Sequence, residues 1–312
     1  MTQLASKHLL GLEGMSEKEI TLILDTADYF YKTMENEIIK FPTLKGKTIL
    51  NMFYENSTRT RISFELAEKR LSADTINFSK AGSAVAKGET LLDTLKNIEA
   101  MKINMIVIRH QSPGAAYLLT QHTPCSVLNA GDGGHEHPTQ GLLDMATLRN
   151  KVGSLSGKHV AIVGDVLHSR VARSNIHGLK AMGAKVTVCG PSTLVPESLS
   201  QLGVDVSHNI DEVIESVDAL NILRIQLERQ DGSLFPSLRE YHNYFGVTRE
   251  RLERASKPIT IMHPGPMNRG VEISSNVADS EHSIILDQVT YGVAVRMAVL
   301  YLLSGGSFEN LK

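Results

Sequence analysis

Residues 48–64 read Thr48-Ile-Leu-Asn-Met-Phe-Tyr-Glu-Asn-Ser-Thr-Arg-Thr-Arg-Ile-Ser-Phe64, and the change of character inside that stretch decides the fold. Thr48 to Tyr54 is apolar and strand-like, whereas Ile62 to Leu71 carries a helical pattern. Between them lie Ser57, Thr58, Arg59, Thr60 and Arg61, so hydroxyls and guanidinium groups crowd a strand-to-helix turn. Free backbone N–H groups and the positive end of the helix dipole favour an anion there, and arginine adds a donor fork that fits phosphate or carboxylate. The same residues would also serve an ordinary N-cap with two surface arginines, so the turn alone leaves both readings open.

Working outward, Ser16-x-x-Glu19 is a capping box that opens a helix to about Met34. A short strand at Thr75–Phe78, a helix over Glu89–Met101 and a buried strand at Met105–Ile108 follow the first turn. A helix near Gly114–His122 and a strand at Ser126–Leu128 come next. The turn Gly131–Gly134 then precedes His137-Pro138, where proline suits the first turn of a helix reaching about Asn150. The polar run Val152–Gly157 marks a domain junction just before it. A second alternation has strands at Val160–Val163, Lys185–Cys189, Ala219–Leu223 and Ile259–Met262, and a helix at Arg170–Met182. Val289–Leu303 reads as a buried helix. Alternating strands and helices predict α/β architecture with parallel sheets.

The chain has 312 residues, 42% of them hydrophobic and 21% charged, enough for one large core or two ordinary ones. A formal net charge of -2 gives no electrostatic ground for a nucleic-acid partner. Cys125 and Cys189 are too few and too far apart for a zinc cluster or a disulfide framework. No signal-peptide run or uninterrupted membrane span is read, so a soluble cytoplasmic protein is expected.

Other segments carry candidate chemistry beside a bland alternative. The loop Lys80–Glu89 holds Ser83 and Lys87, which could reach an anionic ligand or simply face water. Arg109-His110 ends a buried strand, the edge where ligands of parallel sheets gather, yet a structural salt bridge suits Arg109 equally. His135-Glu-His137 lacks a convincing third metal ligand, with Asp132 the close carboxylate outside the motif, so no metal is expected. His137 at a helix N-terminus favours the neutral imidazole and could donate to a carbonyl, with Gln140 one turn on. Val160–Arg170 opens like a dinucleotide unit but lacks its glycines, and Arg170 is a carboxylate-binding candidate instead. Arg224 and Gln226 follow another strand and could share one face or lie on an amphipathic surface. His263-Pro-Gly-Pro266 is either a rigid turn or a frame for backbone carbonyls.

Together, Phe53–Glu65, Ser83 with Lys87-Gly-Glu-Thr90, Arg109-His110, His137-Pro-Thr-Gln140, Gly164-Asp165, Arg170, Arg224-x-Gln226 and His263-Pro-Gly-Pro266 resemble, in order, the carbamoyltransferase family. Arg224-x-Gln226 and the late His-Pro-x-Pro loop resemble the aspartate branch. The ornithine branch typically has cysteine where this chain has Pro264. Gly265 departs from relatives with a larger apolar residue there.

The resemblance implies two doubly wound parallel-sheet domains joined by two helices, residues 1–150 with 287–312 and residues 151–286, and an active site between them completed by a neighbouring subunit of a homotrimer. It implies transfer of the carbamoyl group of carbamoyl phosphate to the amine of L-aspartate, giving N-carbamoyl-L-aspartate and phosphate in de novo pyrimidine synthesis. No cofactor is implied. Ser57, Thr58, Arg59 and Thr60 would hold the phosphate, and Thr60, Arg109 and His137 the carbamoyl oxygen. Gln140, Gly265 and Pro266 would take the carbamoyl NH₂. Arg170, Arg224 and Gln226 would orient aspartate, with Ser83 and Lys87 arriving from the neighbour. Glu55 and Arg229 would position the arginines. A related amine such as ornithine, or a non-catalytic carbamoyltransferase-like subunit, remains the alternative. A separate regulatory chain or a dihydroorotase is a conceivable partner; neither membrane nor nucleic acid is.

Overall fold

The computed structural model describes residues 2–34, 40–79, 88–225 and 237–311. Ser83, Lys87, Gln226 and Arg229 lie outside them. The chain separates into two compact units, Met1–Ala146 with Thr290–Lys312, and Thr147–Val289.

The first unit contains α1 (Glu17–Met34), β1 (Thr48–Phe53), α2 (Thr58–Arg70), β2 (Asp74–Ser79), α3 (Leu91–Glu99), β3 (Met105–His110), α4 (Ala115–Thr120), β4 (Ser126–Asp132) and the start of α5 (Pro138–Val152). The capping box forms as read: Ser16 N–H donates to Glu19 Oε2 at 3.1 Å, and Glu19 N–H to Ser16 Oγ at 3.3 Å. All strand pairs are parallel, in the order β2-β1-β3-β4. Both faces of β1 and β3 are buried, the near-continuous apolar pattern of a sheet covered on two sides. Leu50, Met52, Leu95, Ile106, Ile108, Leu119 and Val127 form its core. The strand expected to stop at Leu128 continues to Asp132, because polar Asn129 finds buried partners at Leu10 O (2.8 Å) and Asp132 Oδ1 (2.7 Å).

The second unit contains β5 (His159–Val163), α6 (Arg170–Ala181), β6 (Lys185–Cys189), β7 (Asp205–Ser207), α7 (Ile210–Ile214), β8 (Ala219–Ile222), α8 (Leu238–Phe245), α9 (Arg249–Leu252), β9 (Thr260–Met262), α10 (Ser275–Ala278) and the start of α11 (Ile285–Leu303). Its sheet is parallel, in the order β7-β6-β5-β8-β9. Val163, Ile214, Leu220, Ile222, Val247, Ile261, Ile273 and Val277 form its core. Both changes of unit fall inside helices, at Ala146 in α5 and at Thr290 in α11. By length and composition α11 could cross a membrane, but 78% of its apolar window is buried within the protein, as in a core helix.

Each sheet reverses its winding once. β1 is followed by β2 on one side and β3 on the other; β5 is flanked by β6 and β8. Crevices at the carboxyl ends of β1/β3 and of β5/β8 are therefore the places where open parallel sheets bind ligands.

Candidate active site

At the first crevice, β1 runs out at Phe53, paired with Arg109 at the end of β3, and Tyr54 N–H donates to Arg109 O at 2.9 Å. The chain then turns into α2. Ser57 occupies the N-cap in extended conformation, yet its hydroxyl makes no capping hydrogen bond. Thr90, Ser169, Asn209, Ser237 and Thr248 each accept a backbone N–H of their helix, whereas Ser274, before the four-residue α10, makes no such bond either. The first turn of α2 thus presents backbone donors and the positive end of its dipole outward. Arg59 lies on that turn, exposed and without an ion pair among the described residues, and Thr60 is buried beside it.

Arg109 is 9% exposed and fixed from two sides. Its Nη2 donates to Glu55 Oε1 at 2.8 Å and its Nη1 to Ala130 O at 3.2 Å. Glu55 pairs with the first unit's Arg109. The salt bridge read for Arg109 is thus present, at the carboxyl end of β3. His137 is buried directly before α5, and its carbonyl accepts Gln140 N–H at 2.9 Å. The loop that delivers it hangs on Asp132, whose carboxylate accepts Asn129 Nδ2, Gly114 N–H and Glu136 N–H at 2.7–3.3 Å and lies 3.1 Å from His135 Nδ1. Gln140, partly exposed, donates through Nε2 to Asp144 Oδ1 at 2.8 Å.

At the second crevice, Gly164 ends β5 at φ +127°, where a Cβ would come within 3.0 Å of Leu223 O. Only glycine lets β5 and β8 stay this close at their ends. Asp165 is fully buried and holds His168, accepting its N–H at 3.2 Å and lying 2.9 Å from its Nδ1. Ser169 caps α6 through Ala172 N–H at 3.1 Å. Arg170 follows as the first residue of α6, 4% exposed. A buried cation at a helix N-terminus opposes the dipole, so helix stability does not account for it. Arg224 lies two residues past β8, after Leu223, whose N–H donates to Val163 O at 2.7 Å.

The loop after β9 is organised by buried side chains. His263 Nδ1 accepts Gly265 N–H at 2.7 Å, which leaves Nε2 as the donor to Glu272 Oε1 at 3.2 Å. Glu272 also accepts Asn268 N–H, while Asn268 Nδ2 donates to Ile225 O at 3.3 Å. The Gly265–Pro266 peptide, cis, is thereby tied to the segment just after Arg224. Sequence patterns do not mark Asp144 and Glu272, which hold Gln140 and the His263 loop. Their signal is an acid within an otherwise apolar segment, visible for Asp144 as the i+4 partner of Gln140.

Residues 7–150 match the family described as aspartate/ornithine carbamoyltransferase, carbamoyl-P binding domain, and residues 156–303 match its Asp/Orn binding domain. The chain is 63% identical over 303 residues, 97% of its length and 95% of the relative's, to the aspartate carbamoyltransferase catalytic subunit of Gemmatimonas aurantiaca. Among solved structures it resembles Trypanosoma cruzi aspartate transcarbamoylase in complex with carbamoyl phosphate and aspartate, with TM-score 0.84, 28% identity, and 94% and 95% of the two chains covered. It resembles Pyrococcus furiosus ornithine carbamoyltransferase equally in fold, with TM-score 0.85, 26% identity, and 98% and 99% covered. With both crevices furnished and both domains matched, the chain belongs to the aspartate/ornithine carbamoyltransferase family.

Proposed function

We infer that this protein is an aspartate carbamoyltransferase, moving the carbamoyl group of carbamoyl phosphate to the amine of L-aspartate in pyrimidine synthesis. The observation that carries the donor assignment is the uncapped first turn of α2 beside an Arg109 already aimed by Glu55. Ser57, Thr58, Arg59 and Thr60 bind the phosphate, and Thr60, Arg109 and His137 surround the carbamoyl oxygen. As the amine attacks the carbonyl carbon, charge grows on that oxygen, and one preorganised donor is typically worth about 2.7–4 kcal/mol. Gln140 and the backbone at Gly265 and Pro266 accept from the carbamoyl NH₂. The C–O bond to phosphate breaks, and the departing phosphate takes the bonding pair and the amine's proton. Arg170, Arg224 and Gln226 hold the two carboxylates of aspartate. Positioning two reactants supplies roughly 7–11 kcal/mol, so no protein nucleophile is required.

Residues 1–150 with 287–312 and residues 151–286 are the donor and acceptor domains in this reading. Ser83 and Lys87 serve a neighbour's site in a homotrimer. Ile62 and Leu66, on one face of α2, and Ile76, on edge strand β2, are exposed apolar residues near the start of that segment, which supports an interface there. Mixing inactive Lys87→Ala and His137→Ala chains should restore partial activity; none in verified mixed trimers would mean that each chain completes its own site. A cytoplasmic setting fits the buried free thiols of Cys125 and Cys189.

The main assignment is tested by supplying carbamoyl phosphate with L-aspartate or L-ornithine and following carbamoylated product. Aspartate should react; faster reaction of ornithine would move the protein to the other branch.

A further inference from the structure

β8 and β9 are neighbours in the second sheet, and one buried side chain organises the chain that leaves both. Glu272 is fully buried and rooted in the core of its unit: its carbonyl accepts Val247 N–H at 3.0 Å, and Ile273 beside it belongs to that core. From this root its Oε1 meets two donors. One is His263 Nε2–H at 3.2 Å, the ring's Nδ1 being taken as the acceptor of Gly265 N–H at 2.7 Å. The other is the backbone N–H of Asn268. Such an oxygen accepts in the neutral carboxyl as well as in the carboxylate, so the arrangement does not depend on charge. The main chain of His263 is fixed too, its N–H donating to Gln288 Oε1 at 3.0 Å.

Asn268 carries the connection onward. It is half-buried, and its Nδ2 donates to Ile225 O at 3.3 Å. Ile225 is fully buried and directly follows Arg224. Two hydrogen bonds therefore lead from Glu272 to the main chain beside Arg224, and two lead to Gly265.

We propose that Glu272 and Asn268 are positioning residues for carbamoyl transfer: Glu272 sets the Gly265 and Pro266 carbonyls through His263, and Asn268 sets Arg224 through the Ile225 carbonyl. One root then places a partner of each substrate. The inference rests on the roles proposed above for Gly265, Pro266 and Arg224. The two residues differ in reach, since Asn268 Nδ2 serves the aspartate arm alone whereas Glu272 serves both.

The test is the KM for each substrate in three variants. Asn268→Asp keeps the side-chain size but sets an acceptor oxygen against Ile225 O. It should raise the KM for L-aspartate about 5- to 10-fold, the worth of one hydrogen bond, and leave that for carbamoyl phosphate within about twofold. Glu272→Leu removes the shared acceptor and should raise both KM values by about 10-fold. Glu272→Gln, whose amide oxygen can take the same two donors, should recover most of both. KM does not depend on the fraction of folded enzyme, so partial misfolding, which lowers the apparent kcat, cannot imitate these shifts. Unchanged KM values in Asn268→Asp and Glu272→Leu, with only kcat reduced, would show a structural role and overturn the proposal. If Glu272→Leu does not fold, an unchanged aspartate KM in Asn268→Asp overturns it alone. No carbamoylaspartate from the unmodified protein would instead remove the proposed function and this inference with it.

Discussion

α2 and α6 occupy corresponding places, each the helix that leaves a switch point of a parallel sheet, and each has serine at its N-cap. Ser169 caps α6 through Ala172 N–H, whereas Ser57 leaves the first turn of α2 open. In the proposed function that difference would sort the ligands. An open turn offers several backbone donors to one compact anion, which suits phosphate. A capped turn has spent a donor at home, so in the proposed function anion binding at the second crevice would fall to long side chains, Arg170 and Arg224. Side-chain forks suit carboxylates spread along a small molecule, because each fork can meet one group.

The proposed division predicts that the two crevices fail separately. Arg59→Ala should lower kcat/KM for carbamoyl phosphate about 100- to 1,000-fold, and initial rates at fixed aspartate read this directly. Arg224→Ala should raise the KM for aspartate roughly 10- to 100-fold and leave that for carbamoyl phosphate nearly unchanged. Saturation curves for both substrates separate the two effects, and a shift confined to carbamoyl phosphate would reassign Arg224.

The two helices also differ beneath the surface. Fully buried Glu68 of α2 accepts Asn51 Nδ2 from β1 at 3.0 Å, and burial pushes its pKa from 4.5 up to about 8. The folded state then keeps a proton that the unfolded chain loses above about pH 4.5. Stability from this group is therefore lost as pH rises from 4.5 to about 8, by at most about 1.4 kcal/mol per pH unit. Denaturant midpoints across that window should fall with pH in the native protein and fall less in Glu68→Gln. Parallel slopes would contradict the assignment.

The smallest effect is the most discriminating. Ser169→Ala should cost roughly 1 kcal/mol of stability, as cap removal does, with carbamoyl phosphate affinity retained. Ser57→Ala should cost little stability, because no cap bond exists to lose, but weaken carbamoyl phosphate roughly 5- to 10-fold. Thermal melts with substrate titrations on both proteins decide it.

The alternation of strands and helices made the α/β class legible, since apolar runs such as Met105–Ile108 admit few other readings. The short pieces β7, α7, α9 and α10 were not legible, being too brief for a periodic signal. The extension of β4 was hidden because its partners, Leu10 O and Asp132, are set by tertiary contacts rather than by local pattern. Motifs flagged the residues that would face ligands, such as Arg59, Arg109 and His137. They did not flag the supports of Gln140 and of the His263 loop, Asp144 and Glu272, whose hydrogen bonds form only in the folded chain.

The central claim is that the donor's phosphate is held by the open turn of α2 and not at α6. Isothermal titration with carbamoyl phosphate alone tests it most directly, on the unmodified protein, Arg59→Ala and Arg170→Ala. The account predicts that Arg170→Ala binds as the unmodified protein does, while Arg59→Ala loses affinity by about 100-fold or more. Full binding by Arg59→Ala together with loss in Arg170→Ala would contradict it.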